Sequence, residues 1–245
     1  MQRKDTIDIF SVKISTLDKN TLISNLCYRL KSDKKSIIFT PNTQVLLAAK
    51  REPRLRALLA SSTVNIPDGI GVCLAAKIKH RTTLDRISGI DIAENIMRIC
   101  AKRRYRIFLL GGRSGVAALA AKKLKQAIPD IKICGTHHGY FQKSGKDNNA
   151  IIRKISSSRA DVLFVCFGFP MQERWIAQNA DALSGVRLFM GLGGSLDVWS
   201  GKRRRAPVFF QKAGLEWLWR VALEPRRAKI FLDAPRFLFE ICKEE

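Results

Sequence analysis

A chain of 245 residues, 46% hydrophobic and 27% charged, suits one large domain with or without an appendage at about 150 residues per domain. That composition excludes a disordered chain and a polytopic membrane protein. Against 21 Asp and Glu stand 44 Lys and Arg, a net charge of +23, which calls for an anionic partner: nucleic acid, an anionic membrane or a phosphorylated substrate. The six cysteines (Cys27, Cys73, Cys100, Cys134, Cys166 and Cys242) form no CxxC pair, and the histidines are His80, His137 and His138. A disulfide framework and a zinc or His-based metal site are therefore not expected, and the cysteines read as reduced core thiols. MQRKDTIDIF has no apolar region after its basic residues, and no run reaches the roughly 18 apolar residues of a membrane span. The expectation is a cytoplasmic protein, soluble or peripherally bound.

Along the chain, short β-branched or aromatic runs alternate with helical patterns. Ser36 to Thr40 reads as a strand before an amphipathic stretch from Thr43 to Ser61, and Thr63 to Asp68 as a second short strand before GVCLAAKIK. Asp91 is placed to N-cap the helix IAENIMRICAKRR. Arg106 to Gly112 is a strand ending in glycines, followed by an Ala- and Lys-rich helix from Ser114 to Ile128. KICGTHHGYF opens as a strand, Asn148 to Ser157 reads as helix, and Asp161 to Pro170 carries the strongest buried-strand pattern, with MQERWIAQNADAL as the helix after it. Val186 to Gly194 is the last clear strand. This alternation predicts an α/β fold, a mostly parallel sheet with helices on both faces. Beyond Gly201 the texture changes to a basic run, Lys202 to Arg205, and then Trp/Phe-rich helical stretches around Pro225. The division is drawn as a Rossmann-like body, 1–197, and a C-terminal helical appendage, 198–245.

Polar and glycine residues gather just after the strands: Thr40-Pro41-Asn42, Pro67-Asp68-Gly69, Gly111-Gly112, His138-Gly139-Tyr140, Gly168 to Glu173 and Gly193 to Asp197. Parallel strands put their carboxyl ends on one edge, where ligands bind. Gly111 to Gly115, between strand and helix, can hold a phosphate on its amides or be a structural turn; it is neither GxGxxG nor a P-loop. Asp68 at a strand end can take a proton from a substrate hydroxyl or cap the next helix, and Asp197 faces the same two options. Glu173 can be an acidic first-turn residue and Gln172 a surface amide. The basic run beside Phe209, Phe210, Trp217 and Trp219 suits either a membrane interface or a solvated face with the Trp stripe packed on the sheet.

TPNTQ, IPDGIGV, RISGID, FLLGGRSGV, HHGYF, FGFPMQERW, GLGGSLD, the RAP of Arg205 to Pro207 and GLEWLWRVALEPRR occur in that order. Together they resemble the signatures of the WecG/TagA/CpsF glycosyltransferases, from about Ile37 to Arg227. The resemblance implies a Rossmann-like, inverting, metal-independent transferase without a cofactor, moving a sugar from a UDP-sugar donor to a polyprenyl-diphosphate-linked acetamido sugar. In the wall teichoic acid branch, the nearest in length and layout, it implies UDP-N-acetylmannosamine, undecaprenyl-diphosphate-N-acetylglucosamine and a β-1,4 linkage. By matching motif, Asp68 is the base for the acceptor hydroxyl; Thr40, Asn42, Arg86 and Gln172 line the reacting sugars; Gly111, Gly112, Tyr140 and Asp197 belong to the UDP pocket; Arg220 and Arg227 grip the lipid diphosphate. Ile230 stands where the family often has a third arginine, with Lys229 and Arg236 as substitutes.

These residues also imply an anionic membrane surface as partner and a peripheral place on the inner face of the cell membrane. Three other readings stay open: a different donor such as UDP-N-acetylmannosaminuronic acid or UDP-glucose; a nucleic-acid binder, which no RNP motif, helix-turn-helix or finger supports and is not expected; and an appendage that assembles a homo-oligomer.

Overall fold

Apolar runs ending in glycine become strands. The computed structural model describes residues 5–32, 34–223 and 230–243, without the side chains of residues 220 and 230–232. In chain order it begins with β1 (Thr6–Ile9), β2 (Val12–Ser15), α1 (Lys19–Lys31), β3 (Ser36–Phe39), α2 (Thr43–Arg51), α3 (Pro53–Ala60), β4 (Val64–Asn65), α4 (Ile70–His80) and α5 (Gly89–Arg103). Then follow β5 (Arg106–Gly111), α6 (Val116–Ala127), β6 (Lys132–His137), α7 (Gly145–Ser157), β7 (Val162–Cys166), α8 (Met171–Asn179) and β8 (Leu188–Gly191). The C-terminal helices are α9 (Ser195–Trp199), α10 (Val208–Lys212), α11 (Glu216–Leu223) and α12 (Ile230–Cys242). The chain divides into two compact units, one from 1–21, 40–89 and 205–245, the other from 22–39 and 90–204.

In the second unit the strands run in the order β3-β8-β7-β5-β6, and every pairing is parallel. Every residue of β7 and β8 is buried, as a sheet covered on both faces requires, so the α/β expectation holds. The strand β6, at the edge, has no fully buried position. One polar network pins α7 to α8 inside this apolar setting. Trp175 Nε1 donates to Asn148 Oδ1 (2.7 Å), Asn148 Nδ2 to Asn179 Oδ1 (2.8 Å) and Asn179 Nδ2 to the Trp175 carbonyl (2.7 Å).

The first unit carries the antiparallel hairpin β1–β2, which the sequence reading passed over. Its two loop residues, Phe10 and Ser11, both have positive φ (53° and 60°), the geometry that Asn-Gly normally signals; here Asp8 Oδ1 accepts from Ser11 N (2.8 Å) and Phe10 is buried. Phe10 meets Phe237 of α12 edge-on at 5.5 Å. The helix α12 packs on α2 and α4, tied by Lys50–Glu240 (2.9 Å) and Gln44–Asp233 (2.7 Å).

Several expectations are corrected. The stretch Thr43 to Ser61 is two helices, because Pro53 holds Glu52 extended (φ −114°, ψ 101°). The helix α5 starts at Gly89, which puts Asp91 inside its first turn instead of at the cap. The second strand shrinks to Val64–Asn65. All six cysteines are free thiols, but only Cys73, Cys100 and Cys166 are in the core; Cys27 and Cys134 are half-buried and Cys242 is exposed. Burial pushes Cys73 up to about 11 and Cys100 and Cys166 up to about 12.

Asn148→Ala should destabilise the protein by about 2–6 kcal/mol, since it strands the Trp175 N–H and the Asn179 side-chain oxygen in the core at about 1–3 kcal/mol each. Equilibrium urea unfolding measures it, with the denaturant slope unchanged.

Candidate active site

Four strand ends of the second unit carry the polar segments. The strand order reverses at β5, whose neighbours are β6 and β7, and such a switch point opens a crevice for ligands. Backbones come very close there: a Cβ on Gly111 (φ 138°) would lie 2.3 Å from the Cys166 carbonyl oxygen, so only glycine fits. Gly112 N donates to that same oxygen (3.2 Å), and Gly139 N to the Gly112 carbonyl (2.8 Å). The ends of β5, β6 and β7 are thus laced together.

The loop after β6 is organised by a lysine that the sequence reading missed. Lys143 Nζ donates to the Phe141 carbonyl (2.9 Å) and the Gly139 carbonyl. It also lies 3.8 Å from the Phe141 ring centroid and 4.5 Å from that of Phe167. Burial depresses its pKa. His137 Nδ1 donates to the His138 carbonyl (2.9 Å), and His138 Nδ1 accepts from Tyr140 N (3.2 Å). Burial, first of all, lowers the pKa of His137. This folded loop presents Tyr140 outward, 71% exposed.

Gln172 and Glu173, at the start of α8, are 5% and 3% exposed, so the reading of Gln172 as a surface amide is corrected, while Glu173 is the first-turn acid expected, and buried. Gln172 Nε2 donates to Glu173 Oε1 (2.8 Å), and Gln172 Oε1 accepts from Gly193 N (2.8 Å), which fixes the amide between the β7 and β8 ends. Glu173 Oε2 is buried without a hydrogen-bond partner among the described residues. Desolvation raises the Glu173 pKa, and the Gln172 bond only partly offsets it. Asp197 is half-buried within α9, whose N-cap is Gly194, so it is not a helix cap. A Cβ on Gly194 would meet Arg203 Nη1 at 3.3 Å and Asp197 Oδ2 at 3.8 Å; both side chains flank this glycine.

Backbone bonds in the first unit stitch three motifs together. Asp68 N donates to the Pro41 carbonyl (3.3 Å) and Ile87 N to the Pro67 carbonyl (3.2 Å), while a Cβ on Gly89 would strike Thr40 Cγ2 at 2.8 Å. Thr40, Asn42, Asp68 and Arg86 are thereby brought together. Asn42 is the N-cap of α2, its Oδ1 accepting from Val45 N (3.1 Å). The N-cap of α4 is Gly69 at φ 104°, so Asp68 sits one residue ahead of the cap, half-buried. Arg86 is held through Nη1 by Glu216 Oε2 (3.0 Å) and donates through Nη2 to the Gln211 carbonyl. Arg205 Nε donates to Glu216 Oε1 (3.2 Å). Arg220 lies on α11 with its side chain outside the described residues; Arg227 and Lys229 themselves lie outside the described residues, and Arg236 is exposed on α12.

The buried acid gives a pH signature. With its pKa raised above the ordinary 4.5, native Glu173 keeps a proton that the unfolded chain releases, so stability falls as pH rises from 4.5 to the native value and is level above it. Glu173→Gln keeps the acceptor for Gln172 and should raise the melting temperature at neutral pH, with the gain vanishing below pH 4.5; melts across pH check this.

Comparison with known proteins identifies the family. The model of the glycosyl transferase WecG/TagA/CpsF family matches residues 7–245. The N-acetylglucosaminyldiphosphoundecaprenol N-acetyl-beta-D-mannosaminyltransferase of Bacillus subtilis (strain 168) is 34% identical over 210 residues, 86% of this chain and 80% of that protein. Proteins of the same name are 33% identical in Bacillus spizizenii, covering 88% and 82%, and 28% identical in Staphylococcus aureus (strain MRSA252), covering 97% and 92%. The chain that folds this glycine-laced strand edge belongs to the WecG/TagA/CpsF family of glycosyl transferases.

Proposed function

We propose that the protein transfers N-acetylmannosamine from UDP-N-acetylmannosamine to undecaprenyl-diphosphate-N-acetylglucosamine with inversion, forming a β-1,4 linkage in the linkage unit of a teichoic acid. The observation that carries this reading is Asp68, a half-buried carboxylate ahead of α4 whose backbone is bonded to the Thr40-Pro41-Asn42 segment, in a family of glycosyl transferases. The acceptor hydroxyl must lose a proton as it attacks the anomeric carbon, and Asp68 takes it. Inversion follows from a single displacement: the C–O bond to the acceptor forms as the bond to the UDP oxygen breaks, and UDP leaves with the electron pair.

Thr40, Asn42, Arg86 and Gln172 contact the sugars in this reading. Tyr140 stacks on the base of the nucleotide, Asp197 and the Gly111-Gly112 turn complete the UDP pocket, and Lys143 fixes the loop that carries Tyr140. Backbone amides, a helix N-terminus and arginines stabilise the leaving diphosphate without a metal. Arg220 and Arg227 hold the lipid diphosphate.

No helix among the described residues is long and apolar enough to cross a membrane, so a lipid-linked acceptor has to be met at a surface. Within the proposed appendage, 198–245, Val208 and Phe209 are 63% and 74% exposed, beside the basic run Lys202 to Arg205 and Lys212. Apolar side chains enter the headgroup boundary while cations meet anionic lipid at about 1 kcal/mol each. The protein then works as a peripheral protein on the inner face of the cell membrane, alone or as a homo-oligomer.

Disaccharide-lipid should form from UDP-N-acetylmannosamine and a short-chain polyprenyl-diphosphate-N-acetylglucosamine, with EDTA making no difference. Asp68→Asn should lower kcat by about 10²- to 10⁴-fold, the range of general-base removal; full activity in that variant rejects the assigned base. Product from UDP-glucose or UDP-N-acetylmannosaminuronic acid alone would shift the reading to another donor. Exchange of Val208 and Phe209 for serine should weaken sedimentation with anionic vesicles while leaving the melting temperature unchanged.

A further inference from the structure

Arg86 lies in the segment 81–88, which has neither helix nor strand, so secondary structure does not aim its side chain. What does is a single carboxylate. Glu216, at the first position of α11, has a side chain only 9% exposed and accepts from Arg86 Nη1 on Oε2 (3.0 Å) and from Arg205 Nε on Oε1 (3.2 Å). The Gln211 carbonyl takes Arg86 Nη2, so the guanidinium plane is pinned at two of its nitrogens. Burying a carboxylate is costly unless it is paired and hydrogen-bonded. Here both oxygens are engaged by separate cations, and the cluster keeps one net positive charge. Two of the five guanidinium donors of Arg86 are committed, leaving others to face a substrate while the carboxylate holds the ring of donors still.

We propose that Glu216 is a positioning residue for the transfer: it aims Arg86, and through Arg205 it ties that aim to the segment leading into α10 and α11. The inference rests on the reading that Arg86 contacts a reacting sugar. It makes the correct seating of α11 a condition for a competent Arg86, so the helix that follows the basic run reports its placement to the acceptor side through one ion cluster.

The experiment is a double-mutant cycle on the full chain, using the wild-type protein with its donor and a short-chain polyprenyl-diphosphate sugar as reference. Wild-type turnover establishes the functional reading; absence of turnover with every UDP-sugar tried would defeat that reading and with it the role assigned here. Given turnover, Glu216→Gln should lower kcat about tenfold or more at saturating acceptor, with UDP affinity unchanged. Arg86→Lys should do likewise, and the double variant should be no slower than the slower single variant, because the carboxylate acts through the guanidinium. A merely structural clamp would instead lower the melting temperature and leave kcat per folded molecule intact, or give losses that multiply; either result overturns the proposal. Glu216→Asp keeps the charge but is one methylene shorter, and it covers the case in which the glutamine variant fails to fold. It should recover part of the lost kcat, and wild-type kcat in it would also overturn the proposal.

Discussion

Parallel pairing of β5, β7 and β8 is the constraint on which the rest depends. A parallel ladder needs crossover connections, and those put helices over both faces and all the carboxyl ends on one edge. The complete burial of β7 and β8 is the energetic expression of that demand. Once the ends are neighbours, the chain must turn away from each without collision, and the 2.3 Å that a Cβ on Gly111 would leave to the Cys166 oxygen shows how little room remains. The polar groups of the site are therefore held by backbone: Gly112 to Cys166, Gly139 to Gly112 and Gly193 to Gln172. A site built this way is pre-organised before any ligand arrives.

Much of this was legible in the sequence because strand-end glycines and buried-strand runs are local signals. Arg106 to Gly111, Val162 to Cys166 and Leu188 to Gly191 stand where the apolar runs put them. The hairpin of β1 and β2 was illegible because Phe10 and Ser11 take left-handed conformations that asparagine and glycine normally announce; burial of Phe10 against Phe237 overrides that preference. Lys143 and Glu216 were missed for a different reason. Nothing in FQKSG or GLEWL indicates which charged side chain turns inward, since that depends on carbonyls and guanidiniums brought close only by folding.

Two buried carboxyl groups show how the same chemistry is resolved in opposite ways. Glu216 is met by two guanidiniums. Glu173, in a chain with 44 cationic side chains, is met by an amide and left with one bare oxygen. The difference follows from what each group holds. Glu216 gathers cations from a loop and a chain entry, one on each of its oxygens, so its charge is the organising element. Glu173 holds a neutral amide, whose other end already bonds Gly193 N, and for that task desolvation toward the neutral acid is tolerable. A cation donating to Glu173 Oε1 would compete with Gln172 Nε2 for that oxygen and free the amide to turn away from Gly193. The cation in the first turn of α8, Arg174, is exposed; among the described residues the Glu173 carboxyl bonds Gln172, which helps to keep that amide on Gly193 N.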